Sequence, residues 1–171
     1  MTRLERLQTA AGQASGRWRL HLLPLETSII EGLPTQLAAL LGDPASNRRV
    51  IERLFPPSAR SRKDEAEDRA MLGSSLVDSR RELLDAFNVL LRGANRHEKG
   101  LHLDLDNLEM DLVLRFANDV RMVLATDLGI EKNLDDELPV PLGHADSAKW
   151  ALLEYLGGLE ALLIDALSRE M

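Results

Sequence analysis

The sequence contains no cysteine, which excludes disulfides, thiol catalysis, thiol redox sensing and cysteine-ligated zinc or iron–sulfur sites. Aromatic residues make up only 4% of its 171 residues, too few for a platform that stacks the bases of single-stranded nucleic acid. Positive charge is in deficit. The 21 Lys and Arg against 28 Asp and Glu leave a net charge of -7, which does not favour long-range attraction to DNA or to an anionic membrane. No apolar run is long enough to span a bilayer, and the opening MTRLERLQTAAGQ lacks the apolar stretch of a signal peptide. A cytoplasmic setting without membrane contact is expected. Motifs with a known mechanism are missing as well: there is no HExxH, Walker loop, GxGxxG or Glu-x-x-His pair, so zinc-protease, nucleotide and di-iron chemistry are not expected. Asp104, Asp106 and Asn107 open like a calcium loop, but Glu109 stands where that loop needs glycine and Arg115 where it needs its closing glutamate.

What is present is an ordinary globular balance, 44% hydrophobic and 29% charged, at a length that fits one domain. The stretch from Asp106 to Leu128 organises it. Leu108, Leu112, Phe116, Val120 and Val123 fall on one side of a helix, and Val113, Ala117 and Leu124 continue that side round. An arc so broad predicts a helix packed on more than one side. Alternation in Arg17–Leu22 and in Leu101–Leu105 predicts two short strands, and the Leu-His-Leu triplets at Leu20–Leu22 and Leu101–Leu103 suggest that they pair. Helices are expected over Leu25–Leu41, with a kink or break near Gly32 caused by Pro34, and over Ala45–Phe55. Further helices are expected over Asp64–Leu91, interrupted at Gly73–Ser75, and from about Ser147 to Ser168. The predicted fold is mainly α: a helical bundle around a central buried helix at about 106–128, with a two-stranded β-ribbon at about 17–22 and 101–105. Residues 1–16 are expected to form a flexible N-terminal arm and 17–171 a single helical domain.

Within this frame a few polar residues are out of place. Asp119 projects between Leu108 and Leu112, Arg121 near Met110, Leu114 and Leu128, and Glu160 into the apolar side of the last helix. A charge on an apolar face needs a partner, so Asn118, Asp119, Arg121 and Glu160 are expected to form a structural polar network, with Arg121 and Glu160 as a buried pair. Arg48, Arg49, Arg53, Arg60 and Arg62, with Lys63, form an arginine-rich run opposed only by Glu52, the candidate patch for an acidic protein or a phosphate. The acidic stretch Asp135–Glu137 is a second candidate contact surface. His21 and His102 are expected to be cross-strand surface neighbours, because no carboxylate or cysteine stands at ligand spacing to complete a metal site with them.

Several of these residues also carry a resemblance. Leu25 and Glu26 running on through Ile30 and Leu33, then Arg53-Leu54-Phe55-Pro56, Asn118-Asp119-x-Arg121 with Leu124 and Leu128-Gly129, and Trp150, Tyr155 and Leu156 occur in an order that resembles an uncharacterised bacterial domain-of-unknown-function family. That family is mainly actinobacterial and often encoded beside the ClpS-type adaptor of the Clp protease. The resemblance implies no catalytic residues and a link to regulated proteolysis. The expected function is a non-enzymatic interaction or regulatory protein without cofactor or metal, binding a protein partner and compatible with homo-oligomerisation. Two rivals remain: a transcriptional regulator binding DNA through the arginine-rich helix 45–55, and an enzyme with Asp119 and Arg121 in one cleft.

Overall fold

The computed structural model describes residues 2–8, 12, 14–43, 45–55, 62–130 and 146–169. Among them are four strands, β1 (Arg3–Gln8), β2 (Ala14–Leu22), β3 (Asn95–His97) and β4 (Gly100–Leu105), and five helices, α1 (Pro24–Gly42), α2 (Arg48–Leu54), α3 (Arg62–Arg92), α4 (Asn107–Asp127) and α5 (Ser147–Ser168). The strands form one antiparallel sheet in the order β1-β2-β4-β3. The fold is therefore α+β. The expected helical bundle with a two-stranded ribbon is corrected on this point: the two strands that alternation marked do pair, with His21 opposite His102, but each has a further partner on its outer side.

Neither outer strand carries the period-2 pattern of a half-buried strand. In β1, RLERLQ, Leu4 packs partly against the core while its neighbours are half-buried or exposed, and all three residues of β3 are exposed. Backbone pairing holds them, and charged side chains along the edges are a usual defence against unwanted strand addition. The stretch expected to be a loose arm thus contains an edge strand.

One face of the sheet is apolar. Trp18, Leu20 and Leu22 of β2 and Leu101, Leu103 and Leu105 of β4 are all buried, and they join a continuous cluster with residues of every helix. The other face is open, as antiparallel sheets allow. The central helix lies where the sequence put it: α4 touches α2, α3, α5 and β4 and buries Met110, Val113, Phe116, Ala117, Val120 and Leu124. Phe116 stacks on Phe87 of α3 with ring centroids 3.8 Å apart. Leu108, placed on the core side by periodicity, is 81% exposed, while Met110 in the same first turn is fully buried. The Leu-Glu step that follows both inner strands is a helix-start device. Glu109 accepts the Asp106 N–H at 2.8 Å while Asp106 accepts the Glu109 N–H at 2.9 Å, a reciprocal cap. Glu26 accepts the Leu23 N–H at 2.7 Å, the half of that cap available when the capping residue has no side-chain oxygen. Pro34 sits buried inside an unbroken α1, and α3 runs through Gly73–Ser75 without a break, so a break near Gly32 and the interruption at Gly73–Ser75 are corrected too.

Candidate functional site

The polar residues of the core divide into two separate pairs. Arg121 of α4 donates to Glu160 of α5 through Nη1 and Oε2, with side chains 18% and 10% exposed. The guanidinium lies beside Gly157, one turn before Glu160, at a distance that a Cβ there would meet in ordinary contact, 3.7 Å from Arg121 Nη2. The pair makes one bond and not two: Arg121 Nε and Glu160 Oε1 have no hydrogen-bond partner among the described residues. Burial raises the Glu160 pKa, and Arg121 only partly offsets it.

Asp119 does not join them. Its carboxylate, 2% exposed, faces Arg80 of α3, whose Nε lies 3.2 Å from Oδ2. That distance is close enough for attraction, but the alignment leaves Oδ2 without a hydrogen bond. Arg80 also lies over the Phe55 ring, 5.8 Å from its centroid. Sequence reasoning passed over Arg80, although its place four residues before Leu84 and seven before Phe87 sets it on the apolar side of its helix. Asn118 is exposed and lies outside both pairs. Arg115, a possible partner for Asp119 by spacing, binds Asp111 at 2.8 Å instead.

Burial dominates at Asp119 and pushes its pKa up to about 6, against the pull of Arg80. The sign of the consequence is fixed by linkage. A carboxyl with a raised pKa in the folded state gives stability that is fully present below its unfolded value, near 4, and lost as pH rises through about 6. Two pKa units correspond to roughly 2–3 kcal/mol. Asp119→Asn should remove this loss, so that the variant matches the parent near pH 4 and exceeds it at pH 7.5 by up to that amount. Urea unfolding at several pH values measures it; parallel curves for the two proteins would show that Asp119 ionises freely in the fold.

The arginine-rich run is less available than its composition suggests. Arg53 turns inward and donates to the Ile130 carbonyl, and Arg48 binds Glu52 at 2.8 Å while remaining 78% exposed. Arg49 is exposed. Arg60 lies outside the described residues, as do Asp135–Glu137, and of Arg62 the helical backbone alone is described. The expected helix 45–55 shortens to the seven residues of α2, which bury Val50 and Leu54.

The open face of the sheet brings together residues that the sequence left apart. Across it runs one titratable side chain per strand: Glu5 of β1, His21 of β2, His102 of β4 and His97 of β3. Glu5 Oε1 lies 2.8 Å from His21 Nε2, His21 Nδ1 lies 2.8 Å from His102 Nε2, and His97 Nε2 lies 2.7 Å from the same nitrogen. His97 reaches His102 diagonally because the residue opposite it, Gly100, offers no side chain. The hydrogen bond to His21 holds the Glu5 carboxyl below its ordinary range. Burial, with His21 and His97 close by, lowers the His102 pKa. Arg19 and Asp104 flank the row in a two-bond pair at 2.6 and 2.7 Å. Only His21 and His102 were legible as neighbours in the sequence; Glu5 lay in the supposed arm and His97 in none of the expected elements. As the side chains stand, no group of three or more His, Asp or Glu among the described residues is arranged to hold a metal ion.

Cavities lie elsewhere. A space of about 260 Å³ between α1, α4 and α5 is lined chiefly by Leu33, Leu37, Leu40, Val120, Val123 and Leu152, with neither Asp119 nor Arg121 in its wall. Among the described residues no helix is long and apolar enough to cross a membrane. The chain belongs to the family described as Domain of unknown function (DUF2017), which matches residues 6–167. No curated protein and no solved structure matches it.

Proposed function

We propose that this member of the DUF2017 family is a non-enzymatic interaction or regulatory protein, cytoplasmic and acting through a protein partner. One observation carries the reading: the charged side chains best suited to chemistry are divided between two pairs with buried carboxylates, Asp119 with Arg80 and Arg121 with Glu160. An active site needs such groups convergent and reachable by substrate. Here each pair links α4 to a different neighbouring helix, which is the work of architecture. The contact surface is the solvent side of α2, where Arg48 and Arg49 project. The resemblance to a family encoded beside the ClpS-type adaptor supplies the finer part of the proposal, regulated proteolysis, and makes that adaptor the first partner to test.

The test is calorimetric titration of the purified chain with the ClpS-type adaptor of the same organism. Saturable binding is expected, weakened about tenfold or more by Arg48→Ala with Arg49→Ala, a loss of at least ~1.4 kcal/mol. Absence of binding at about 100 μM would remove the proteolysis link. Turnover of a small molecule that Asp119→Asn or Arg121→Lys abolishes in a folded protein would overturn the non-enzymatic reading.

A further inference from the structure

We propose that His21, His97 and His102 form a binding site for a divalent transition-metal ion of the kind that favours imidazole, such as Zn²⁺, on the open face of the sheet. The argument starts from ring protons. Lys99 donates its backbone N–H to His97 Nδ1 at 3.2 Å, so neutral His97 carries its one ring proton on Nε2. Glu5 accepts from His21 Nε2 at 2.8 Å, so neutral His21 carries its proton there and has a lone pair on Nδ1. Both of the remaining nitrogens aim at His102 Nε2, from 2.7 and 2.8 Å.

With those two protons in place, no neutral arrangement satisfies that centre. If His102 Nε2 is protonated, its hydrogen opposes that of His97. If it is not, its lone pair opposes that of His21. Protonating His21 sends two donors to one lone pair. A metal ion resolves the conflict, because it takes a lone pair from each ring once His97 moves its proton to Nδ1 and gives up the long Lys99 bond.

The spacing needs a small adjustment in a known direction. Around a tetrahedral ion with metal–nitrogen bonds of about 2.0–2.1 Å, the ligand nitrogens stand roughly 3.3 Å apart. The His21 and His97 nitrogens each stand closer than that to His102 Nε2, and side-chain rotations of about half an ångström bring those two separations to the required length. A fourth ligand would come from solvent, since His97 is exposed. Glu5 behind His21 supplies the carboxylate that orients a ligating imidazole and fixes its tautomer. The guanidinium of Arg19 is neutralised by Asp104, and Arg3, 3.4 Å from His21 Nε2, leans toward Glu5, so neither cation opposes the ion without a counter-charge.

Calorimetric titration of the tag-free full chain with Zn²⁺ tests this, with Co²⁺ absorption reporting the geometry. Expected are one ion per chain, micromolar or tighter affinity, and a tetrahedral Co²⁺ spectrum. His97→Ala and His102→Ala should each weaken binding about 100-fold or more, and Glu5→Gln about 10- to 100-fold. Circular dichroism confirms the fold of each variant, and His97, exposed on a three-residue edge strand, is the substitution least able to disturb it. Failure of Zn²⁺ to saturate below about 100 μM, or binding indifferent to both alanine variants, overturns the site. Binding that depends on His102 but not on His97 also overturns it, since a two-imidazole contact is a different assignment. An unchanged affinity in Glu5→Gln overturns the positioning role of Glu5.

Discussion

Arg121→Met is expected to lower the unfolding free energy by about 3 kcal/mol, at the lower end of the ~3–5 kcal/mol that follows loss of one partner from a buried ion pair. The lower end applies because the Arg121 side chain retains 18% exposure. The variant leaves Glu160 among Leu156, Leu159 and Leu163 of α5, all nearly fully buried, with no cation to offset its desolvation. Its pKa, already raised by burial with Arg121 in place, then rises further. By linkage the penalty fades in acid: a group with a raised folded pKa gives stability that is present below its unfolded value and lost as pH rises through the folded one. Arg121→Met should therefore approach the parent near pH 4 and diverge from it toward neutrality. Adding Glu160→Leu removes the stranded carboxyl, and the double variant should recover most of the loss or exceed the parent by about 1 kcal/mol. The single-bond geometry makes recovery the expected outcome, since Arg121 Nε and Glu160 Oε1 lack partners among the described residues even in the intact pair. Urea unfolding of the single and double variants at pH 4.5 and 7.5 gives the cycle. A double variant as unstable as Arg121→Met at pH 7.5 would falsify the view that the pair is replaceable by apolar packing.

That pair also shows what the sequence made legible and what it did not. Arg121 and Glu160 each stood on an apolar face, and a buried charge demands a counter-charge; the inference needs no knowledge of how the chain turns. The same rule applied to Asp119, but its partner sits on α3, a helix whose charge-rich pattern hid Arg80 among many surface arginines and acids. The central helix was visible because its apolar arc is broad, and β2 and β4 because one face of each is buried and the other wet. β1 and β3 were not, because an edge strand with two partly buried leucines three residues apart, or with none, leaves no period-2 trace; it is held by backbone hydrogen bonds, which every sequence offers equally. This is why the fold read as a bundle with a ribbon when it is an α+β fold. The histidine row failed to appear for the same reason. His21 and His102 share the visible pair of strands, whereas Glu5 and His97 reach them only through the two invisible ones.

Gly100 sits where one of those invisible strands, β3, turns into the core strand β4, and Gly100→Ala should be among the most damaging substitutions at the described residues. It is buried at the start of β4, with φ at +124, a region that side chains rarely adopt and that costs about 1–3 kcal/mol to impose. Space is the larger obstacle. A Cβ there would stand 1.9 Å from the Leu22 carbonyl oxygen and 2.9 Å from its carbon, backbone atoms that cannot swing aside as a side-chain tip would. The strand must move, and Leu22 faces Leu101 in the β2–β4 ladder with both side chains in the core. A loss of about 4 kcal/mol or more is expected, at the rare end for a single substitution. Gly42→Ala serves as the control: at the end of α1, with nothing within 4 Å of its Cβ and no positive φ, it should be neutral or stabilising by up to ~1 kcal/mol. Hydrogen exchange localises the damage, which should begin at the Leu22–Leu101 end of the ladder and spare α5. Because the two-residue turn between His97 and Gly100 sets β3 against β4, any Gly100→Ala protein that remains folded should also lose Zn²⁺ affinity in step with His97→Ala. A Gly100→Ala variant within about 1 kcal/mol of the parent would mean that the β2–β4 contact yields easily, and the histidine row, which depends on that contact, would lose the rigid platform the metal assignment requires.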